Sequence, residues 1–244
     1  MIFLKKTILF SLAVFAVLIC ATYVRNNFPS EIIPDTINPT IFSVPSPSAT
    51  NRSSQISDKF HTWSVYPDIP LAQIMEDKGY NADDNVNIYV DIKSRTLVFR
   101  YSDEALKKYR ISTGPNTDLG DKEKEGDNRT PRGNFYICSK DVYSPPKGYL
   151  GSRWMLLSYP NLEAAERGLD SGLIDERTYN KVKSANLEKR IPPQNTILGS
   201  AIGIHGGARE NLRKDWTAGC VGMYDKDVEE IFEFVKIGTP VFIE

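Results

Sequence analysis

The sequence predicts a mainly β body that carries a helical insertion and a helix near its C-terminus, and three patterns predict it. Val86 to Ile92 and Thr96 to Tyr101 alternate apolar and polar positions and are rich in β-branched and aromatic residues, with the turn-like Lys93-Ser94-Arg95 between them: a hairpin. From Asn161 to Arg190 the periodicity becomes helical, in two short stretches broken at Gly172. Val228, Ile231, Phe232 and Val235 then fall at i, i+3, i+4 and i+7 behind Asp225, which is expected to cap that helix, before Thr239 to Ile243 closes as a strand.

In chain order, residues 1–25 read as a signal peptide or signal-anchor. Lys5 and Lys6 precede Ile8 to Val24, a nearly unbroken apolar run. Ile19-Cys20-Ala21-Thr22-Tyr23 offers no clean small-x-small cleavage site, so retention as a membrane tether is favoured over removal. Ile19 stands where a lipid-modified signal needs a small residue, which argues against lipidation at Cys20. Two lysines before the run and Arg25 after it put the N-terminus in the cytoplasm and the rest of the chain on the oxidising, cell-wall side. Residues 26–60 are rich in Pro, Ser, Thr and Asn and too poor in large apolar side chains to bury a core, so they are expected to be a flexible linker. Residues 61–85 form a short lead-in, with a helix expected from Pro70 to Gly79, where Leu71, Ile74 and Met75 share one face.

Residues 86–244 form the body. After the hairpin, strands are expected from Lys108 to Thr113, ending at Gly114-Pro115, and from Gly133 to Cys138, following the turn Thr130-Pro131-Arg132-Gly133. Asn116 to Asn128, charged and glycine-containing, has the composition of a mobile surface loop. Ile197 to Ile204 returns to strand. More than 60 residues separate Cys138 from His205, far longer than an ordinary connection, so the helical insertion is expected to form a lid or wall over a substrate.

Bulk properties exclude several function classes. The net charge is -1, and beyond residue 25 the chain holds 27 basic against 31 acidic residues, interspersed rather than blocked, so nucleic acid is not an expected partner. Cys20, Cys138 and Cys220 are too few and too scattered for a disulfide framework or a paired-cysteine zinc site, and with two histidines a buried protein-made metal site is not expected.

The informative segment is Ile202-Gly203-Ile204-His205-Gly206-Gly207, followed by Asp215-Trp216-Thr217-Ala218-Gly219-Cys220-Val221-Gly222-Met223. It pairs a histidine at a strand end with a glycine-flanked cysteine. A thiol needs a nearby base to become a thiolate, and a reacting carbonyl needs close approach to unhindered backbone N–H donors, which Gly219 permits. A lone cysteine is more commonly a small buried hydrophobe, and Cys138 and Cys220 could also pair in an oxidising compartment.

These residues resemble the YkuD-type L,D-transpeptidases, whose signature sets a histidine-glycine pair upstream of a [Ser/Thr]-x-Gly-Cys element. His205-Gly206 and Thr217-Ala218-Gly219-Cys220 match it in order and approximate spacing. Val86 to Tyr101 resembles the family's first hairpin, Ile111-Ser112-Thr113-Gly114 its next strand, and Thr130-Pro131-Arg132-Gly133-Asn134-Phe135 its TPxGxF element, so the likeness spans Val86 to Glu244. The resemblance implies a β-sandwich catalytic domain of the L,D-transpeptidase type. Cys220 would be the nucleophile, His205 the base, the Gly206 carbonyl the group that orients the imidazole, and the N–H groups of Gly219 and Cys220 the oxyanion donors. The implied substrates are peptidoglycan tetrapeptide stems, the acceptor being an amine of a second stem, a wall-attached protein, an amino acid or water. Carbapenems would be covalent inhibitors, and no cofactor is implied.

Two positions depart from the family pattern. Ala218 replaces a second histidine, and Gly222 replaces an arginine expected near substrate carboxylates. Arg153, Arg190, Arg209, Arg213 and Lys214 are candidate replacements for that cation, and Thr217 is a further candidate for substrate binding. Asp215-Trp216-Thr217 and Arg190-Ile191-Pro192-Pro193-Gln194-Asn195-Thr196 mark a divergent branch in which transfer to an amine and hydrolysis are both plausible. Two readings from other classes compete: a catalytically silent wall-binding module, for which Ala218 and Gly222 would be the losses, and a thiol redox protein using Cys138 and Cys220.

Overall fold

The computed structural model describes residues 69–83, 85–209 and 215–244. The apolar export run, the linker, Arg213 and Lys214 lie outside them. Among the described residues no helix is long and apolar enough to cross a membrane.

The elements run α1 (Leu71–Asp77), β1 (Val86–Asp91), β2 (Thr96–Tyr101), β3 (Glu104–Arg110), a 3-10 turn (Thr117–Leu119), β4 (Gly133–Lys147), β5 (Gly151–Leu157), α2 (Leu162–Asp170), α3 (Glu176–Leu187), β6 (Gly203–His205), β7 (Val221–Gly222), α4 (Asp225–Phe232) and β8 (Pro240–Ile243). The eight strands lie in the order β3-β2-β1-β8-β4-β5-β6-β7. β4 joins two layers, pairing with β8 from Gly133 to Tyr136 and with β5 from Ile137 onward. One hydrophobic core serves both, drawing Ile88, Val90, Phe99 and Val241 from one part of the sheet and Met155, Leu157, Ile204 and Val221 from the other. The architecture is mainly β and sandwich-like, with a helical insertion and a C-terminal helix, as the sequence predicts.

Alternation decides the early strands: Val86, Ile88 and Val90 point inward from β1 while Asn87, Tyr89 and Asp91 are only partly covered. β2 turns back at Ser102-Asp103, so β3 starts at Glu104 rather than Lys108. The segment expected as its end leaves the hairpin: Ser112 exchanges two backbone hydrogen bonds with Gly222, at 2.9 and 2.8 Å, and so joins the far edge of the sheet.

β4 runs nine residues beyond the expected end at Cys138, and β5 was not foreseen. Polar Ser139, Lys140 and Asp141 conceal the continuation. Lys140 spends its charge at the C-terminal end of α4, donating to the carbonyls of Phe232 and Val235 while its ammonium lies 4.0 Å from the Phe232 ring centroid. The expected strand from Ile197 shrinks to Gly203–His205, because the preceding residues serve the insertion: Ile197 O accepts from Glu125 N and Leu198 O from the Tyr159 hydroxyl.

The insertion is the expected helix pair. Asn161 and Asp175 cap its helices, accepting from Ala164 N at 3.0 Å and Thr178 N at 2.8 Å, and Gly172 breaks the chain between them at φ +72°. Ala165, Ile174, Val182 and Leu198 form a small core of their own. The stretch Asn116 to Asn128, expected as a mobile surface loop, does lie largely at the surface, but it is organised around a buried charge pair. Asp127 accepts from Lys122 Nζ at 2.7 Å and from the backbone of Glu123, Lys124 and Arg129, and Thr117 is buried beneath it. Composition alone did not distinguish charges in water from charges paired inside.

Asp225 is the first residue of α4, not its cap; Tyr224 holds the cap position without a side-chain bond. The Asp225 carboxylate reaches across to β5 and the chain after His205 instead, accepting from Ser152 N at 2.8 Å and Gly207 N at 3.0 Å.

Candidate active site

His205 ends β6, and Cys220 immediately precedes β7. The two strands are parallel, pairing Ile204 with Val221 and His205 with Gly222, so sheet register sets the histidine beside the chain that has just left the cysteine. On the other side β6 pairs with β5 in antiparallel fashion, His205 opposite Trp154. The histidine is held between two ladders, which a lone surface histidine would not be.

The imidazole is fully buried, and its Nδ1 lies 2.8 Å from the carbonyl oxygen of Gly206. A carbonyl only accepts, so Nδ1 carries the proton and Nε2 is left with its lone pair. Nε2 is buried and has no hydrogen-bond partner among the described residues. Burial pushes the His205 pKa down to about 4, against the opposing pull of the Gly206 carbonyl and the Asp225 charge.

Cys220 is buried at 6% exposure, with Sγ directed at Ala201 O, 3.5 Å away. Burial pushes its thiol up to about 11, while the backbone at Gly203 and the buried Lys122 cation work the other way. At neutral pH the resting pair is therefore a neutral thiol and a neutral imidazole, not a thiolate-imidazolium pair.

The turn before the cysteine is tied to itself. Thr217 Oγ1 donates to Cys220 O at 2.7 Å and accepts from Gly219 N at 3.3 Å, so this hydroxyl shapes the loop from a buried position. Gly219 has φ +130°, and a Cβ there would come within 2.6 Å of Arg129 O; only glycine fits.

Three aromatic rings enclose the imidazole: Tyr149 at 5.5 Å between centroids, Trp154 at 5.7 Å and Trp216 at 5.5 Å, the last edge-on. Tyr149, at the β4–β5 turn, also meets Trp216 edge-on at 5.1 Å, and its hydroxyl accepts from Ala218 N at 3.0 Å. Tyr149 and Trp154 carry no local sequence signal, because their partner His205 lies 56 and 51 positions away. The tryptophan in Asp215-Trp216-Thr217 was visible but had no assigned task.

Of the candidate cations within the described residues, Arg153 and Arg190 are engaged elsewhere. Trp154 faces the imidazole, so its neighbour Arg153 emerges on the opposite face of β5, 5.4 Å from the Phe232 ring and 3.7 Å from Glu229. Arg190 is exposed on the insertion and paired with Glu188 at 2.7 Å. Arg209 is exposed at the edge of the described chain. Cys138 and Cys220 are both free thiols. Among the described residues no group of three or more His, Cys, Asp or Glu could hold a metal ion.

A β-sandwich-like domain with a backbone-anchored histidine ending one strand and a glycine-preceded cysteine leading into the next is the class that fold and site define. Residues 85–243 match the YkuD family model, the L,D-transpeptidase catalytic domain, and the chain belongs to that family. Among solved structures, Bd1075 of Bdellovibrio bacteriovorus aligns at 20% identity and TM-score 0.44, over 67% of this chain and 49% of its own. The helical cell shape determining protein Pgp2 of Campylobacter jejuni aligns at 19% and 0.41, over 71% of this chain and 55% of its own. An L,D-transpeptidase of Mycobacterium smegmatis aligns at 16% and 0.37, over 66% of this chain and 58% of its own. The chain thus spans about half the length of these structures. No curated protein sequence matches it.

Proposed function

We propose that the protein is a cysteine acyltransferase acting on peptidoglycan tetrapeptide stems, as an L,D-transpeptidase or as a hydrolase using the same acyl-enzyme. One observation carries the reading: the His205 imidazole is fixed by Gly206 so that its basic Nε2 stays buried, and unpartnered among the described residues, on the strand beside Cys220. A structural histidine of that burial would be expected to satisfy both nitrogens.

In this mechanism Nε2 takes the Cys220 proton as Sγ attacks the carbonyl of the third stem residue, and Gly206 O stabilises the imidazolium through Nδ1–H. The new C–S bond forms through a tetrahedral oxyanion, for which the N–H groups of Gly219 and Cys220 are the proposed donors. That role requires the Gly219 N–H to exchange its long bond to Thr217 Oγ1 for the oxyanion. Collapse breaks the C–N bond, and terminal D-alanine leaves with the proton from His205. The thioester is then resolved by an amine, from a second stem, a wall-attached protein or an amino acid, or by water. Neutral resting partners suit this sequence, because the proton moves only as the C–S bond forms.

The proposed location is the outer face of the membrane, with residues 8–24 as a retained tether. A mature N-terminus beyond Tyr23 would refute the tether and leave the chemistry intact.

Intact-mass analysis of the full chain with purified muropeptides tests the reaction. The expected result is a thioester adduct on Cys220 with release of one D-alanine per acyl-enzyme, absent in Cys220→Ala. A cross-linked product identifies an amine acceptor and a tripeptide identifies water. No adduct and no D-alanine would reject catalysis in favour of a silent binding module.

A further inference from the structure

We propose that Arg95, in the β1–β2 turn, is a positioning residue for the nucleophile loop, acting through Asp215; this rests on Cys220 being the nucleophile. Two independent observations carry it.

The first is the fork. Arg95 Nε lies 2.9 and 3.1 Å from the two Asp215 oxygens, and Nη2 lies 2.6 Å from Oδ2. Both side chains are largely covered, at 23% and 18% exposure, so the pair is a fixed bidentate clamp rather than a surface ion pair. Nη1 also donates to Ile92 O, and Nη2 to Asp118 at 3.2 Å.

The second is backbone conformation. Arg95 sits at φ +53°, a left-handed position that a turn would fill more easily with glycine or asparagine. Within the turn the side chain makes one contact, from Nη1 to Ile92 O. What it supplies is a guanidinium reaching 120 positions along the chain.

Asp215 passes that constraint on. Its Oδ1 also accepts from Thr113 N at 2.9 Å, and Thr113 O in turn accepts from Thr217 N at 3.3 Å. The next residue on, Trp216, forms one wall of the box around His205, and Thr217 holds the carbonyl of Cys220. Beyond the cysteine, Ser112 fixes Gly222 through two backbone bonds. The loop from 215 to 222 is thus pinned at both ends to residues 112 and 113, and Arg95 locks the end that carries the tryptophan. Two roughly parallel guanidinium contacts constrain angle as well as distance, which a lysine ammonium does not.

The test uses the full chain with Arg95→Lys and Arg95→Ala, measuring muropeptide acylation, iodoacetamide alkylation of Cys220 and thermal unfolding. A loosened loop should expose the thiol while spoiling its alignment, so the two reactions should move in opposite directions. Arg95→Ala is expected to lower acylation kcat at least tenfold with KM within threefold, and to speed alkylation several-fold; Arg95→Lys should fall between it and wild type. A lowered melting temperature with unchanged kcat per folded molecule would overturn the proposal, as would a raised KM alone. If Arg95→Ala does not fold, wild-type kcat in Arg95→Lys would overturn it equally. Alkylation needs no peptidoglycan. A wild-type chain that ignores muropeptides, with alkylation still faster in both variants, would refute the substrate reading and retain the clamp.

Discussion

The indole of Trp216 lies against the α-carbon of Gly222: a Cβ there would come within 2.8 Å of Cζ2 and 3.2 Å of Cε2. The position where the family pattern has an arginine is therefore closed by an aromatic ring, and Trp216 and Gly222 make one arrangement. Gly222→Arg would restore the residue type of the family pattern, but it should expel Trp216 from beside His205. It is expected to lower stability by about 1–3 kcal/mol, as overpacking does, and to reduce acylation at least tenfold. Adding Trp216→Ala should recover part of the stability, which denaturant unfolding of the two variants would measure.

Acid should weaken the fold through His205. Its pKa in the folded chain is about 4 against an ordinary 6.5, so between those values the unfolded chain binds a proton that the folded one refuses. Stability is then complete above about pH 6.5, falls as the pH drops towards 4, and levels off below. The full shift corresponds to roughly 3 kcal/mol. Urea unfolding at pH 7 and pH 4.5 should show most of that difference, and His205→Gln should remove it; an undiminished difference in the variant would place the titration elsewhere.

The rate of acylation should follow the same group. With the imidazole neutral down to about pH 4 and the thiol protonated up to about 11, kcat/KM is expected to be level from about pH 5.5 to 8.5 and to fall as His205 protonates near pH 4. A midpoint close to 6.5 would mean that the imidazole is solvated in the free enzyme.

Tyr149 links the β4–β5 turn to both site elements. Tyr149→Phe removes the acceptor for Ala218 N–H and should cost about 1 kcal/mol with the rings still packed. Tyr149→Ala also uncovers His205, so the acid midpoint of acylation should move up from about 4 towards the ordinary histidine value. Unchanged midpoints in both variants would show that Tyr149 contributes nothing to the burial of the base.

Arg190 and Arg153 separate on position. Arg190 is exposed and pairs with Glu188, so Arg190→Ala should leave kcat/KM within twofold. Arg153 lies over Phe232 on the α4 face, so Arg153→Ala should destabilise the fold by about 1–2 kcal/mol through lost packing, without raising KM. A tenfold rise in KM for either variant would restore it as a carboxylate partner.

Local pattern was enough for much of this protein. Period-two alternation in Val86 to Ile92 and Thr96 to Tyr101, helical spacing in Val228 to Val235, and the caps Asn161 and Asp175 each record a choice that neighbouring residues make between themselves. The histidine-glycine and glycine-cysteine pairs are local in the same sense, which is why both candidate residues could be named from the chain alone. Tertiary structure decided what depends on distant partners. Lys140 and Lys122 read as solvated charge until α4 carbonyls and Asp127 are brought to them, and so the continuation of β4 and the charge pair in the loop before Thr130 went unseen. Trp154 against His205, Trp216 against Gly222 and Arg95 against Asp215 are contacts across 51, 6 and 120 positions. The first and last join elements that sequence cannot align. The second turns on the absent side chain of a glycine, whose space is assigned only when the loop closes over it.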